Sequence, residues 1–520
     1  MKVLLVMSAA LVVTATNSEL NLGLYEWASQ KVLGLDSSRN SQSTSPALTV
    51  PYEELERWLV DEAEIAFESI IHNIGGHGDG LDDVLKGIVV ASRSKSWPDY
   101  YYQWTRDAAI TIDSLILRLD DQKGQNETLR VIIEDYIASS AQIQRVKNPS
   151  GDFKNLEGLG EPKFLVGGRP YEGPWGRPQR DGPALRSAAI INYIDSQVKH
   201  NTSTRYEDYA TLFYSVIKPD LDYVALKWDQ KGFDIWEELH DFHFSTHLVQ
   251  LRSLVLGMSM ADKLGLVEYA KRYKVEAERL RHFISSHYYD KQRGHLVQSL
   301  GSDRTGLDAA IFIGTIWSLG LREWNGTAKS DSIVFPPNEE AMIVTLEKLI
   351  QDMATRFSIN QQRIQQLKEQ VSEQRIGLGI GRYPEDVYDG VGISIGNPWF
   401  ITTASIAQTL YLLADYLLIQ QSPLYITGQT YPFYSRFGIT HKQIDRGDPQ
   451  YKDLTRSIIE YADSFMDVIR EHSACDGKMS EQFNRYNGYM QGATQLTWSY
   501  SAFWSAARQR NITQSRFSSQ

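Results

Sequence analysis

From Tyr52 onward the apolar residues of this chain recur at spacings of three and four. Leu55, Trp58, Leu59, Ala63, Ala66, Phe67, Ile70, Ile71 and Ile74 form the first such stripe, and GGHGDG (75–80) ends it. That spacing follows one face of an α-helix, and the glycines supply the stop. Comparable segments follow near 107–119, 127–146, 181–199, 206–228, 242–264, 267–288, 307–320, 338–357, 397–420, 451–472 and 494–510, making twelve helices, with an extra polar helix near 361–374. Runs that alternate apolar and polar residues are scarce, so an all-α fold is expected.

The links between these helices come in two kinds, and the kinds alternate. The second, fourth, sixth, tenth and twelfth helices are entered through WPDYYYQWTRD (97–107), EGPWGRPQRDGP (172–183), GFDIWEELHDFHF (232–244), GRYPEDVYDGVGISIGNPWF (381–400) and SEQFNRYNGYMQGA (480–493). All are rich in aromatic residues, acids, arginine and glycine. The eighth is entered through the plainer GSDRTGLD (301–308), and odd-numbered helices follow dull links such as DQKGQN and PPNEE. Helices joined by short links run antiparallel, so the links into every second helix emerge at one end. A ring of six helical hairpins with an active site at that end is therefore expected.

The net charge of −11 and the lack of a basic cluster exclude nucleic acid as a partner. The single cysteine, Cys475, excludes an internal disulfide, which taken alone fits a reducing compartment. Other features point outward. Residues 1–15, MKVLLVMSAALVVTA, carry a lysine and an apolar run too short for a stable membrane span but suited to a secretory signal peptide. Four N-glycosylation sequons, at Asn126, Asn201, Asn325 and Asn511, agree with a secreted or secretory-pathway and vacuolar location. Asn126, Asn201 and Asn325 fall in dull links and Asn511 ends the last even helix, so any glycans are expected at the end opposite the rich loops. Residues 16–51 read as an N-terminal arm and 52–515 as one catalytic domain, expected to work as a monomer.

Trp104, Trp175, Trp236, Trp399 and Trp498 lie in or beside the rich loops, near Arg106-Asp107, Arg177, Asp181 and Arg382. Any one of these tryptophans fits a core, and any one Arg/Asp pair fits a loop brace. Together they suit a sugar cleft, because pyranose C–H faces stack on aromatic rings while the hydroxyls need charged, bidentate partners. In KWDQKGFDIWEEL (227–239), Glu237 and Glu238 stand together at the mouth of an expected helix. Acids favour a helix N-terminus, which is the plain reading. Neighbouring helical positions diverge, however, so the two acids cannot share a task. Glycoside hydrolysis needs one carboxyl to protonate the leaving oxygen and another across the sugar. Glu481, at the start of the last rich loop, is the candidate for the second. No His/Cys/Asp cluster has metal-ligand spacing, so neither metal nor cofactor is expected.

YYQWTRD, GLGEPKF (158–164), GPWGRPQRDGPALR (173–186), GFDIWEEL, GRYPED, GNPWF and SEQ…LTWSY occur here in the order found in fungal glucoamylases of glycoside hydrolase family 15. The resemblance covers roughly 52–510 and is strongest to the yeast type without a starch-binding domain. It implies an (α/α)6 barrel and an exo-acting, inverting glucan 1,4-α-glucosidase that takes β-glucose from non-reducing ends of starch, maltooligosaccharides or glycogen. By motif it implies Glu237 as general acid, Glu481 as general base and Glu238 on the next sugar. Arg106, Asp107 and Arg382 resemble the clamp on the terminal glucose, and Tyr100, Trp104, Trp175, Trp236, Trp399 and Trp498 the aromatic lining. The sequence departs from the family pattern at His240 and His243 after WEE, and at Lys478-Met479 before the base. The alternatives are a trehalase or α-1,6-glucosidase, or an inactive carbohydrate-binding protein on the same fold.

Overall fold

The structure, a computed structural model, describes residues 48–206, 208–319, 333–370 and 375–520. The expected signal peptide, nearly all of the arm and Asn325 lie outside the described residues. All described residues belong to one compact unit, Ser45–Gln520.

The twelve expected helices are present: α1 (Tyr52–His72), α2 (Thr105–Asp121), α3 (Glu127–Ile143), α4 (Gly182–His200), α5, α6 (Phe244–Lys263), α7 (Val267–His287), α8 (Ala310–Leu319), α9 (Glu340–Arg356), α10 (Phe400–Ile419), α11 (Pro449–His472) and α12 (Thr497–Ser518). In α5, Tyr209–Leu212 passes through a π turn at Phe213–Ile217 into Lys218–Lys227. The extra polar helix is Ser358–Leu367. Among the described residues strands are confined to five antiparallel pairs: β1 (Tyr102–Trp104) with β2 (Lys163–Leu165), β3 (Gly232–Phe233) with β4 (His240–Asp241), β5 (Tyr289–Asp290) with β6 (His295–Leu296), β7 (Leu424–Tyr425) with β8 (Gln443–Ile444), and β9 (Gln482–Phe483) with β10 (Met490–Gln491).

The even-numbered helices pack in a closed ring, each on the next and α12 back on α2. Odd-numbered helices cover them: α1 lies on α12, α3 on α2, α5 on α4, α7 on α6 and α11 on α10. This is an (α/α)6 barrel, and composition explains which helix goes where. α10, FITTASIAQTLYLLADYLLI, is apolar or small all round, and only Tyr416 and Ile419 escape full burial. A helix of that kind must sit inside. α7 buries only Ala270, Tyr273, Ala277, Leu280 and Ile284, a single stripe, and leaves its charged face to water. Where α8 packs on α6 the sequence has a glycine with no room for a side chain. A Cβ on Gly314 of α8 would lie 2.5 Å from the Ser245 Cα of α6.

Two expectations are corrected. α12 does not end at Arg510 but runs on to Ser518, which places Asn511 within the helix. The apolar pattern fades there, yet polar ties hold the helix: Arg510 pairs with Asp463 at 2.6 Å, Arg516 with Asp415, and Thr513 Oγ1 donates to the Tyr411 carbonyl at 3.3 Å. The second correction concerns Glu237 and Glu238, which precede α6 in the β3–β4 turn and are not on a helix.

The parity of the links holds. Asn126 caps α3, its Oδ1 accepting from the Leu129 amide at 3.0 Å. Asn201 caps the C-terminus of α4 in the adjoining turn, where Gly124 would meet Thr202 if it carried a Cβ. Asn511 lies near the C-terminus of α12, where Arg508 pairs with Asp121 at the end of α2. These three sequons thus gather where even helices end, and the rich loops gather where they begin.

Candidate active site

At the N-terminal end of the ring a cavity of about 310 Å³ opens. Of the residues singled out in the sequence, Tyr100, Trp104, Arg106, Asp107, Trp175, Trp236, Glu237, Glu238, Arg382, Trp399, Glu481 and Trp498 all line it. They come from five separate links, so only ring closure brings them together. Arg177 does not reach the wall. Its Nε donates to both Glu161 carboxylate oxygens at 2.8 Å and its other nitrogens to the Gly173 and Tyr171 carbonyls, so it braces its own loop.

Glu237 owes its direction to a strained turn. Its backbone has φ 67°, the left-handed region that L residues with a Cβ avoid at a cost of about 1–2 kcal/mol. Asp234 imposes this conformation. Its carbonyl accepts from the Glu237 amide at 3.0 Å, and its Oδ1 accepts from the amides of Glu238 (2.7 Å) and Leu239 (2.9 Å). The kink sends the adjacent acids into different company. Glu237 Oε1 accepts from Trp104 Nε1 (2.7 Å) and Gln179 Nε2 (2.8 Å), with Arg106 Nη2 at 3.7 Å.

Glu238 is bound by cations. Arg382 Nη2 donates to Oε1 at 2.8 Å, Arg304 Nη2 to Oε2 at 2.7 Å, and the Tyr383 hydroxyl also to Oε2. Burial opposes the charge, but Arg382, Tyr383 and Arg304 outweigh it and hold this carboxyl below its ordinary range. A carboxyl whose ionised form is favoured in this way suits hydroxyl binding better than proton donation.

Glu481 is the opposite case. It is 2% exposed, and burial pushes its carboxyl up to about 8, although hydrogen bonds from Tyr100 and Tyr388, the Arg382 charge and the Ala493 backbone pull the other way. The β9–β10 hairpin carries it, with its amide donating to the Ala493 carbonyl at 2.8 Å. Gly492 lies against it: a Cβ there would stand 2.4 Å from Glu481 Oε2, and the backbone has φ 76°. Both constraints demand glycine.

The clamp and walls are similarly fixed. Arg106 Nη1 donates to Gln179 Oε1 (2.8 Å) and Asp181 Oδ2 (3.0 Å), while Asp107, beside the Arg106 Nε at 3.6 Å, is raised by burial to about 7. Arg382 forms a two-pronged pair with Asp386, at 2.8 and 2.6 Å. Trp236 Nε1 donates to Asp308 at 3.0 Å, and its ring stands 5.7 Å from Trp399 and 6.3 Å from Trp498. Among the described residues the buried Nε1 groups of Trp175 and Trp399 have no hydrogen-bond partner.

Gln179, Tyr383, Tyr388 and Lys163 sit inside quoted motifs yet were not singled out, and Arg304 and Asp308 come from the link that reads as plain. Nothing in one sequence marks them before their partners are known. The two histidines that depart from the family pattern do not line the cavity. His243 spans the Gly232 carbonyl (2.9 Å) and Ser299 Oγ (2.8 Å), and His240 packs on Phe233. Lys478 is equally remote, pairing with Asp476 at 2.5 Å.

Residues 64–508 match the family described as glycosyl hydrolases family 15. A glucoamylase of Saccharomycopsis fibuligera is 35% identical, over 88% of this chain and 91% of its own length. A probable glucoamylase of Schizosaccharomyces pombe is also 35% identical, over 88% and 92%. A solved structure of a Saccharomycopsis fibuligera glucoamylase superposes with a TM-score of 0.81 at 34% identity, covering 90% of this chain and 97% of that one.

Proposed function

Because this chain belongs to glycosyl hydrolase family 15 and has the activity of a glucoamylase, a glycoside hydrolase acting on starch-type substrates, we propose that Glu237 and Glu481 are the acid and base of an inverting hydrolysis. The observation that carries this reading is that two carboxyls from distant links share one aromatic-walled cavity. The terminal glucose rests among Trp104, Trp236, Trp399 and Trp498, its hydroxyls held by Arg106, Asp107 and Arg382. Glu237, with Oε1 fixed by two N–H donors, gives the proton on its other oxygen to the departing glycosidic oxygen. Glu481 takes a proton from water on the opposite face, and β-glucose leaves. Glu238, held ionised, binds the next sugar. An inverting mechanism calls for a separation of about 6.5–9.5 Å between the two carboxyls, which leaves room for the water.

A second reading exchanges the acid and base, and the raised Glu481 carboxyl favours it. A good leaving group separates the two readings, because it departs without acid help while water still needs a base. Glu237→Gln should lose about 10²–10⁴-fold on maltose yet recover most activity on α-glucosyl fluoride, and Glu481→Gln should be impaired on both. The reverse pattern assigns the roles the other way. Proton NMR of early product should show β-glucose; initial α-glucose ends the inverting assignment.

Passage through the secretory pathway is proposed from residues 1–15 and the sequons. The relatives include an intracellular sporulation-specific glucoamylase of Saccharomyces cerevisiae, 32% identical over 87% of this chain. Among the described residues no helix is long and apolar enough to cross a membrane. One chain carries both carboxyls, so a monomer suffices.

A further inference from the structure

Lys163 is buried, 2% exposed, with no carboxylate closing an ion pair on it among the described residues. Four aromatic rings enclose its ammonium instead. Nζ lies 3.6 Å from the ring centre of Trp175, 4.1 Å from Tyr102, 4.3 Å from Tyr171 and 4.5 Å from Trp104. The β1–β2 register sets this up: Lys163 is the direct cross-strand partner of Trp104, and Tyr102 shares that face. Buried lysines normally pair with acids, so a cation left to π faces needs an account. Trp104 supplies one, because the indole under this ammonium donates its Nε1–H to Glu237 Oε1 at 2.7 Å.

We propose that Lys163 is a positioning residue for the acid, its ammonium polarising the Trp104 indole so that the Nε1–H stabilises the ionised form of Glu237. This rests on the reading of Glu237 as general acid. The charge is present when needed: burial lowers the ammonium to about 8, against the raising influence of Glu237 and Asp99, so below that pH it is a cation. Arg177 is the other cation bearing on it. Around Glu237 itself stand Arg106 and Asp107 from α2, Tyr100 from the link before it, and Gln179 as a neutral donor. Arg106, which also pairs with Asp181 and lies close to Asp107, acts on Glu237 directly at 3.7 Å, whereas Lys163 is the cation that bears on it through the Trp104 indole. Removing a nearby positive charge makes a carboxyl harder to ionise, so the acid would hold its proton to higher pH.

The test is the pH dependence of kcat/KM for Lys163→Met. On maltose the basic limb, set by deprotonation of the acid, should move up by about half to one unit. On α-glucosyl fluoride, which needs no acid, the profile should stay in place. Lys163→Arg, which keeps a cation, should restore most of the maltose profile. A basic limb unmoved on maltose, in protein with the parent's near-UV circular dichroism, overturns the proposal. An equal change on both substrates overturns it too, because a lysine that merely braces the strand pair would act that way. If Lys163→Met does not fold, Lys163→Gln carries the same expectation. Failure of the acid assignment shows separately, as Glu237→Gln without fluoride rescue.

Discussion

Individual carboxylates at the two ends of the same helical ring are held in opposite ways. At the mouth, Glu481 is raised to about 8, Asp308 to about 8 and Asp107 to about 7, each chiefly by burial, and Glu237 sits on strained backbone. At the far end, Asp120 accepts from Ser196 (2.8 Å), Lys199 (2.9 Å) and His200 (2.9 Å). Burial there works against the charge, yet Lys199, Ser196 and His200 hold it down to about 2. Asn126 caps a helix, and Arg508 closes a two-pronged pair on Asp121, at the same end. The far-end acid is held ionised by its partners, whereas these mouth carboxyls are raised by burial.

The largest expected contrast uses one glycine from each end. Gly492 and Gly265 both have positive φ, at 76° and 71°. Gly492→Ala would drive a methyl into Glu481, whereas Gly265, in the α6–α7 turn, has no heavy atom within 4 Å of the added carbon. Gly492→Ala should reduce kcat by about 100-fold, the scale of an ångström misplacement of a catalytic group. Gly265→Ala should cost about 1–2 kcal/mol of stability and leave kcat alone. Steady-state kinetics and denaturant titration check both, and equal kinetic effects would erase the distinction between the ends.

The next contrast is in pH and stability. Glu481 has a folded pKa raised from 4.5 to about 8, so its contribution is fully present below about 4.5 and is lost as pH rises through about 8. Glu481→Gln should therefore melt higher than the parent at pH 8 and lose that advantage toward pH 4.5. Asp120 has a folded pKa depressed from 3.8 to about 2, so its contribution is present above about 3.8 and is lost as pH falls through about 2. Asp120→Asn should cost about 1 kcal/mol at neutral pH, and the difference should shrink as pH falls toward 2. Melting curves across pH 2–9 would reveal the opposite slopes; two parallel slopes would refute the contrast.

The smallest effect is expected from changing Asn126, Asn201, Asn325 and Asn511 together to Gln. The three described sequons lie at the end away from the cavity, so activity on maltose and on soluble starch should be equally unaffected. Loss of the Asn126 cap should cost only a few tenths to about 1 kcal/mol. A selective change on starch would place a glycan at the mouth.

Much of this arrangement is legible in the sequence. The helix count, the alternation of rich and dull links and most of the cavity wall follow from the sequence, because a helix's burial is written in its local spacing of apolar residues. Arg177 shows where that reading stops: its neighbours in GPWGRPQRDGP line or brace the site, and only the Glu161 contact tells which it does. Arg304 shows the converse, since a link without aromatic residues supplies the second arginine on Glu238.

By itself the sequence determined twelve helices, the alternation of their links, and the end at which the chemistry gathers. These depend on periodicity and on alternation of chain direction, and both are properties of short stretches. Tertiary structure alone decided that Glu237 and Glu238 stand in a turn, that Glu481 is raised to about 8, and that Lys163 lies under four rings. Each of these depends on groups distant in sequence meeting in a space from which water is largely excluded. There a charge's cost and its partners are set by burial and field, and neither exists until the ring has closed.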